Sequence, residues 1–264
     1  METAIADRAT CQPLPVPRLG SLLGRDHARV GRNNQDACAA GAALGWHVVV
    51  VTDGCSSGAS NEVGARLGAA FLAAQAPALL ATTAGALSAA RAATDALAAA
   101  LGGLVSRFAD PAARAAFVAD HLLFSFLVAA VGPARAVVFG MGDGVVLAGD
   151  APCCLDPGPD NAPAYLGYRL VSPEALDAPF APGALEPQLH VDRPREGLSV
   201  VGVATDGLGE LLARDREGAL SLLRGPFDLL NPSLLGKRLR ALAGRGLAPA
   251  DDTTLALLHL GGVA

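Results

Sequence analysis

Residues 46–54, WHVVVVTDG, are the stretch from which the rest of the chain can be placed. Their run of β-branched residues reads as a strand buried on both faces. Gly54 can turn the chain without a Cβ penalty, so Asp53 is carried to the rim of an apolar core. The same device returns at residues 198–207, LSVVGVATDG, which deliver Asp206. Two buried strands that each run into Thr-Asp-Gly predict a site where carboxylates from distant parts of the chain converge on one edge.

Working outward, 264 residues suffice for one large core. Residues 21–264 read as a single domain, preceded by a loosely held arm at 1–20 that carries three prolines and no periodicity. Apolar residues make up 52% of the chain but aromatics only 4%, so the core must be built from Ala, Val and Leu. Charged residues at 17% argue against disorder, and a net charge of −5 offers no basic footprint for nucleic acid. Cys11, Cys38, Cys55, Cys153 and Cys154 form no C-x-x-C pair, and no secretory pattern opens the sequence. Both features predict a reducing cytoplasm. Residues 67–90 lack charge over a length that could span a bilayer. They are mostly Ala, Gly and Thr, with larger apolar residues at helical spacing, which predicts a core helix instead.

Along the chain, the polar stretch 24–39, GRDHARVGRNNQDACA, predicts a strand or strand pair carrying His27, Arg29, Arg32 and Asp36. After Asp53 a helix is expected, with Val63, Leu67, Phe71 and Ala74 on its buried face and an interruption at Pro77. A second helix presents Leu87, Ala90, Thr94, Leu97, Leu101, Leu104 and Phe108, and a short third one runs to about Asp120. Strands follow at 121–131, 134–140 and 144–148, with Asp143 in the tight Met-Gly-Asp-Gly turn at 141–144. The Pro-rich segment 149–197 suggests strands at 165–171 and 189–191. Residues 208–245 read as helical with a break at 225–232, and a last strand covers 255–260. Strands and helices come in runs, which predicts an α+β layered fold.

Asp36, Asp53, Asp143, Asp206, Asp251 and Asp252 each stand at a strand end or in a turn beside small residues. Any one alone reads as an ordinary turn aspartate. Gathered together they would repel one another strongly. A hard divalent cation resolves that repulsion, and Mg²⁺ or Mn²⁺ prefers carboxylate and water oxygens.

The ordered set of His27 with Gln35-Asp36-Ala37, VVVTDG with SNEVGA, MGDG, VATDG and DDTTLALL resembles the metal-dependent protein phosphatases of type 2C, particularly their bacterial branch, over residues 24–260. The resemblance implies a four-layer α-β-β-α sandwich of two antiparallel sheets flanked by helices. It also implies hydrolysis of phosphoserine and phosphothreonine in proteins by a metal-bound hydroxide, with two Mn²⁺ or Mg²⁺ ions and a third held more weakly. On the same resemblance Asp53 bridges two metals and Gly54 ligates through its carbonyl. Asp206 and Asp251 complete one metal's ligands, Asp143 belongs to the third site, and Asp36 orients a metal-bound water. Asp252 supports the ligands from behind.

Two positions depart from the family pattern. Cys55 stands where many members carry a His that protonates the leaving alkoxide, which makes Cys55 the candidate for that role. No Arg aligns cleanly with the family's phosphate-binding Arg; Arg32 is the favoured candidate, with Arg29 and His27 nearby. The implied partner is a phosphorylated protein, opposing a Ser/Thr kinase, with no nucleic acid or membrane. The alternative is a phosphatase-like regulatory module that binds a phosphoprotein without turning it over. Cys55 and the unaligned Arg favour that alternative, whereas the complete carboxylate set disfavours it. A two-metal nuclease or other phosphoesterase ranks third. His47, His121, His190 and His259 show no ligand spacing.

Overall fold

The valine run is a strand with both faces covered in the computed structural model, which describes residues 14–149, 151–158, 163–176, 183–224, 231 and 233–260. The elements in the first half are β1 (Val16–Leu22), α1 (Arg25–Val30), β2 (Ala37–Ala43), β3 (Trp46–Gly54), α2 (Glu62–Thr82), α3 (Ala86–Val105) and α4 (Pro111–His121). There follow β4 (Phe124–Val131), β5 (Arg135–Met141), β6 (Gly144–Ala148), β7 (Pro152–Leu155), β8 (Gln188–Pro194) and β9 (Val200–Ala204). The last are α5 (Gly207–Arg214), α6 (Arg216–Arg224), α7 (Leu234–Leu242) and β10 (Thr253–His259).

One antiparallel sheet has the order β2-β3-β4-β5-β8 and the other β1-β10-β9-β6-β7. On β3 the side chains alternate between two apolar clusters. Val48 and Val50 join Leu72, Ala93 and Leu97 of α2 and α3, while Val49 and Val51 meet Val201, Val203, Ala256 and Leu258 of the opposite sheet. All four valines are at most 1% exposed, and each such burial is worth roughly 1.5–3 kcal/mol. On the far side Leu208, Leu211, Leu235 and Leu239 of α5 and α7 cover Val145, Val200, Leu255 and Leu257. The layers are therefore helix, sheet, sheet, helix, the expected α+β sandwich.

Helix α2 has the length and apolarity to cross a bilayer, but half of its most apolar window is buried inside the protein. Its buried face is not the expected one. Ala65, Ala69, Leu72, Ala73 and Ala76 face inward, while Val63 and Leu67 are each 44% exposed. The small residues let the helix approach the sheet closely: a Cβ on Gly68 would lie 2.5 Å from Phe124 Cε2. Pro77 does not interrupt α2 either. It removes the N–H that would reach the Ala73 carbonyl, and that oxygen lies where a Cβ on Gly41 of β2 would fall, 1.9 Å away. On α3, Ala90, Thr94, Leu97 and Leu101 are buried as expected, but Leu104 and Phe108 stay outside and Val105 takes the inner place.

Three other expectations are corrected. The 24–39 stretch opens with helix α1, ended by Gly31 at φ 70, and only β2 is extended. The segment 165–171 is a 3₁₀ turn at Leu166–Arg169 and not a strand. The close of the expected arm forms β1, which pairs along its length with β10; residues 1–13, Cys11 included, lie outside the described residues.

Candidate metal centre

Strands of both sheets change from apolar to polar at one end of the inter-sheet core. Val51 gives way to Asp53 on β3, Leu127 to Ser125 on β4, Ala256 to Thr254 on β10, and Leu19 to Ser21 on β1. Past β9, Val203 is followed two residues on by Thr205. A period of two keeps each polar residue on the face of its apolar neighbour. Asp53 pairs across the strands with Ser125, and Ser21 with Thr254.

The remaining carboxylates reach the same rim from element ends. Asp206 stands at the start of α5 and Asp251 just before β10. Asp143 lies in the crossover from β5 to β6, which carries the chain from one sheet to the other. Gly142 and Gly144 there have φ of 92 and 128, and a Cβ on Gly142 would fall 2.4 Å from Ser125 Cβ, so the crossover requires glycine. Asp53, Asp143, Asp206 and Asp251, with Gly54, line a cleft of about 340 Å³. Asp36 is buried and accepts a hydrogen bond from Thr205 Oγ1 at 2.8 Å.

Every one of these carboxyls is pushed up. For Asp53 burial is the main cause, followed by Asp36, Asp206, Asp251 and Asp143, and the shift is well above the usual carboxylate range. Asp36 moves the same way through burial and then Asp252. Asp206 rises to about 6 through burial and then Asp251 and Asp143, and Asp143 and Asp251 rise mainly through burial. Asp206 Oδ1 is buried without a hydrogen-bond partner among the described residues. An all-oxygen donor set with excess negative charge and an orphaned carboxylate oxygen fits a hard divalent cation.

Asp252 is not among the residues that line the cleft. It is 2% exposed, and its carboxylate accepts from the backbone N–H of Gly24 and of Gln35, both at 2.6 Å. His27, also buried, places Nδ1 at 2.9 Å from Asp252 Oδ2 and 3.7 Å from Asp251 Oδ1. His27 therefore stands beside the acidic pair and is not among the residues that line the cleft. Arg32 is likewise engaged elsewhere: its guanidinium donates to the carbonyls of Ser56 and Gly58 and holds the loop after Cys55. Cys55 does line the cleft, with Sγ 3.0 Å from Ser57 Oγ and its N–H on Leu123 O at 2.9 Å. Asn61, fully buried, ties the same loop by donating to Cys55 O and accepting from Leu123 N–H.

Sequence reasoning missed Tyr165 and Tyr168, which form a wall of the cleft. Their signal was scarcity. The chain contains only 2 tyrosines, in a sequence with 4% aromatics.

The chain belongs to the protein phosphatase 2C family, whose model matches residues 23–242. Its fold is similar to that of a solved bacterial serine phosphatase, at 14% identity and a TM-score of 0.61, covering 94% of this chain and 98% of that one. It is also similar to the serine/threonine phosphatase Stp1 from Staphylococcus aureus (14% identity, TM-score 0.59, 95% and 97% covered). A third likeness is to the S. agalactiae serine/threonine phosphatase (15% identity, TM-score 0.56, 94% and 100% covered). At these identities the likeness speaks for the fold. No curated protein sequence matches.

Proposed function

We propose that this chain hydrolyses phosphoserine and phosphothreonine in proteins, with Mn²⁺ or Mg²⁺ held by Asp53, the Gly54 carbonyl, Asp143, Asp206 and Asp251. The observation that carries the reading is the convergence of these carboxylates, each with a raised proton affinity, on an open cleft in a protein phosphatase 2C chain. Bound there, two ions with a third held more weakly would activate a water for attack and neutralise the charge on the phosphoryl oxygens. Asp53, whose carboxyl feels Asp36, Asp206, Asp251 and Asp143, would be the ligand on which the metal site is centred. Asp36, buried and held by Thr205 Oγ1, would be the acceptor that orients a water for attack. Arg32 keeps the Ser56 and Gly58 carbonyls in place and so holds the loop that forms one rim. The free thiols of Cys38, Cys55, Cys153 and Cys154 suit a reducing cytoplasm, where the protein would oppose a Ser/Thr kinase.

The experiment is phosphate release from a phosphothreonine peptide, with and without Mn²⁺. Metal-dependent release is expected. A protein that binds metal and phosphopeptide yet releases no phosphate would instead be a phosphoprotein-binding module.

A further inference from the structure

We infer that the backbone N–H groups of Ser56 and Ser57 bind the phosphoryl oxygens of the substrate, with Arg32 as the residue that turns them toward the cleft; the inference rests on the phosphatase reading above. Among the described residues, no cationic side chain lines the cleft. A phosphate group entering it needs donors besides any bound cation, and paired backbone N–H groups are a common way to supply them.

The loop after Cys55 is a β-turn, closed by the Gly58 N–H on the Cys55 carbonyl at 3.3 Å. Ser56 and Ser57 fill its middle positions, and both line the cleft. The Cys55 carbonyl also accepts from Asn61 Nδ2 at 2.9 Å, and the Ser56 and Gly58 carbonyls accept from the two terminal nitrogens of Arg32. Asn61 is fully buried, and neither Asn61 nor Arg32 lines the cleft, so the Cys55 and Ser56 carbonyls are drawn away from it. In a trans peptide the N–H points opposite to the C=O of the same plane, and no peptide bond among the described residues is cis. The Ser56 N–H, across from the Cys55 carbonyl, and the Ser57 N–H, across from the Ser56 carbonyl, are thereby turned toward the cleft. Neither has a hydrogen-bond partner among the described residues.

The turn is fixed before any substrate arrives. The Cys55 N–H donates to Leu123 O at 2.9 Å and the Ser60 N–H to Asp120 O at 2.8 Å. Gly58 is wedged between them, where a Cβ would fall 2.5 Å from the Ala119 carbonyl oxygen. Donors held in place in this way lose little freedom on binding. Arg32 contributes twice. It orients the Ser56 peptide, and its charge on that carbonyl polarises the amide and strengthens the Ser57 N–H as a donor. Arg32 thus takes part in phosphate binding through the loop.

Neither Ser56 nor Ser57 has a positive φ, and proline is favoured at the second position of such a turn. Ser56→Pro therefore deletes one N–H and keeps the turn. In Mg²⁺-loaded protein its calorimetric affinity for inorganic phosphate is expected to fall about tenfold or more, the worth of one hydrogen bond to a charged acceptor. Its affinity for Mg²⁺ alone is expected to hold. Ser56→Ala, which loses the hydroxyl and keeps the N–H, is expected to lose less phosphate affinity. Wild-type protein gives a second reading without substitution: phosphate titrated into isotope-labelled, Mg²⁺-loaded protein is expected to move the Ser56 and Ser57 amide protons downfield in NMR spectra. Arg32→Ala is expected to shrink the Ser57 response and to raise KM for a phosphothreonine peptide more than it lowers kcat.

Amide protons that stay in place while phosphate binds would overturn the inference. So would equal losses in Ser56→Pro and Ser56→Ala, or a fall in Mg²⁺ affinity that matches the fall in phosphate affinity. Each of these leaves the phosphatase reading standing as long as wild-type protein releases phosphate from the peptide. Wild-type protein that takes up no metal and releases no phosphate would defeat that reading, and the inference with it.

Discussion

Asp53 and Asp206 come from opposite sheets and line one cleft at the end of the core between them, the charge of Asp206 helping to push the Asp53 carboxyl up. Asp53 is the penultimate residue of β3, and Asp206 follows β9 by two residues. Buried carboxyls gathered in this way hold on to protons unless a cation replaces them. Asp206→Asn removes one charge from this pair. It is expected to raise the thermal midpoint of the metal-free protein, to weaken Mn²⁺ binding by tenfold or more, and to abolish phosphate release. Scanning calorimetry, titration calorimetry and a phosphopeptide assay check the three arms separately.

The raised Asp206 carboxyl gives metal binding a pH dependence of definite sign. Between the ordinary value of 3.8 and about 6, the unfolded chain has released this proton while the folded one still holds it. The folded state binds more protons there, so this group's contribution to metal-free stability falls as pH rises through that window. A cation must displace the same proton. Mn²⁺ affinity is therefore expected to rise about tenfold per pH unit below 6 for each proton displaced, and to level off above it. Mn²⁺ at about 100 times its Kd then adds about 2.7 kcal/mol per site. Thermal midpoints with and without Mn²⁺ at pH 5 and 7.5 measure the difference.

Asp252 joins the start of α1, Gln35 and His27 through one buried carboxylate. Asp252→Ala leaves two backbone N–H groups unpaired, each costing about 1–3 kcal/mol. A loss of about 3 kcal/mol or more in urea unfolding is expected. Asp252→Asn, which keeps one acceptor oxygen, is expected to fall between the two.

Gly41 lets β2 lie directly under α2 where Pro77 has freed the Ala73 carbonyl. Gly41→Ala cannot fit without separating helix from strand. Overpacking of this kind costs about 1–3 kcal/mol, and chemical denaturation reads it without involving the metal site.

Much of this was legible in the chain. The buried valines between turn residues located β3, and the repeated Thr-Asp-Gly located its partner in the other sheet. What misled was side-chain size. On α2 the larger Val63 and Leu67 read as the inner face, yet the Ala and Gly stripe is inside, because close approach to Phe124 and β2 outweighs the area of each side chain. The polar stretch around His27 and Arg32 carried no period that separates a short helix from a strand, and their partners, Asp252 and the loop carbonyls, lie far off in sequence. Nothing local marked Tyr165 as a cleft residue; its place depends on a turn packed against Leu122.

The central claim, that the acidic cleft uses divalent cations to hydrolyse a phosphomonoester, is tested most directly by titrating Mn²⁺ into chelator-stripped protein with a phosphothreonine peptide. Phosphate release is expected to be absent without metal, to rise with occupancy, and to vanish in a folded Asp53→Asn protein. Release that ignores the metal, or none from protein that calorimetry shows to be loaded, would contradict it.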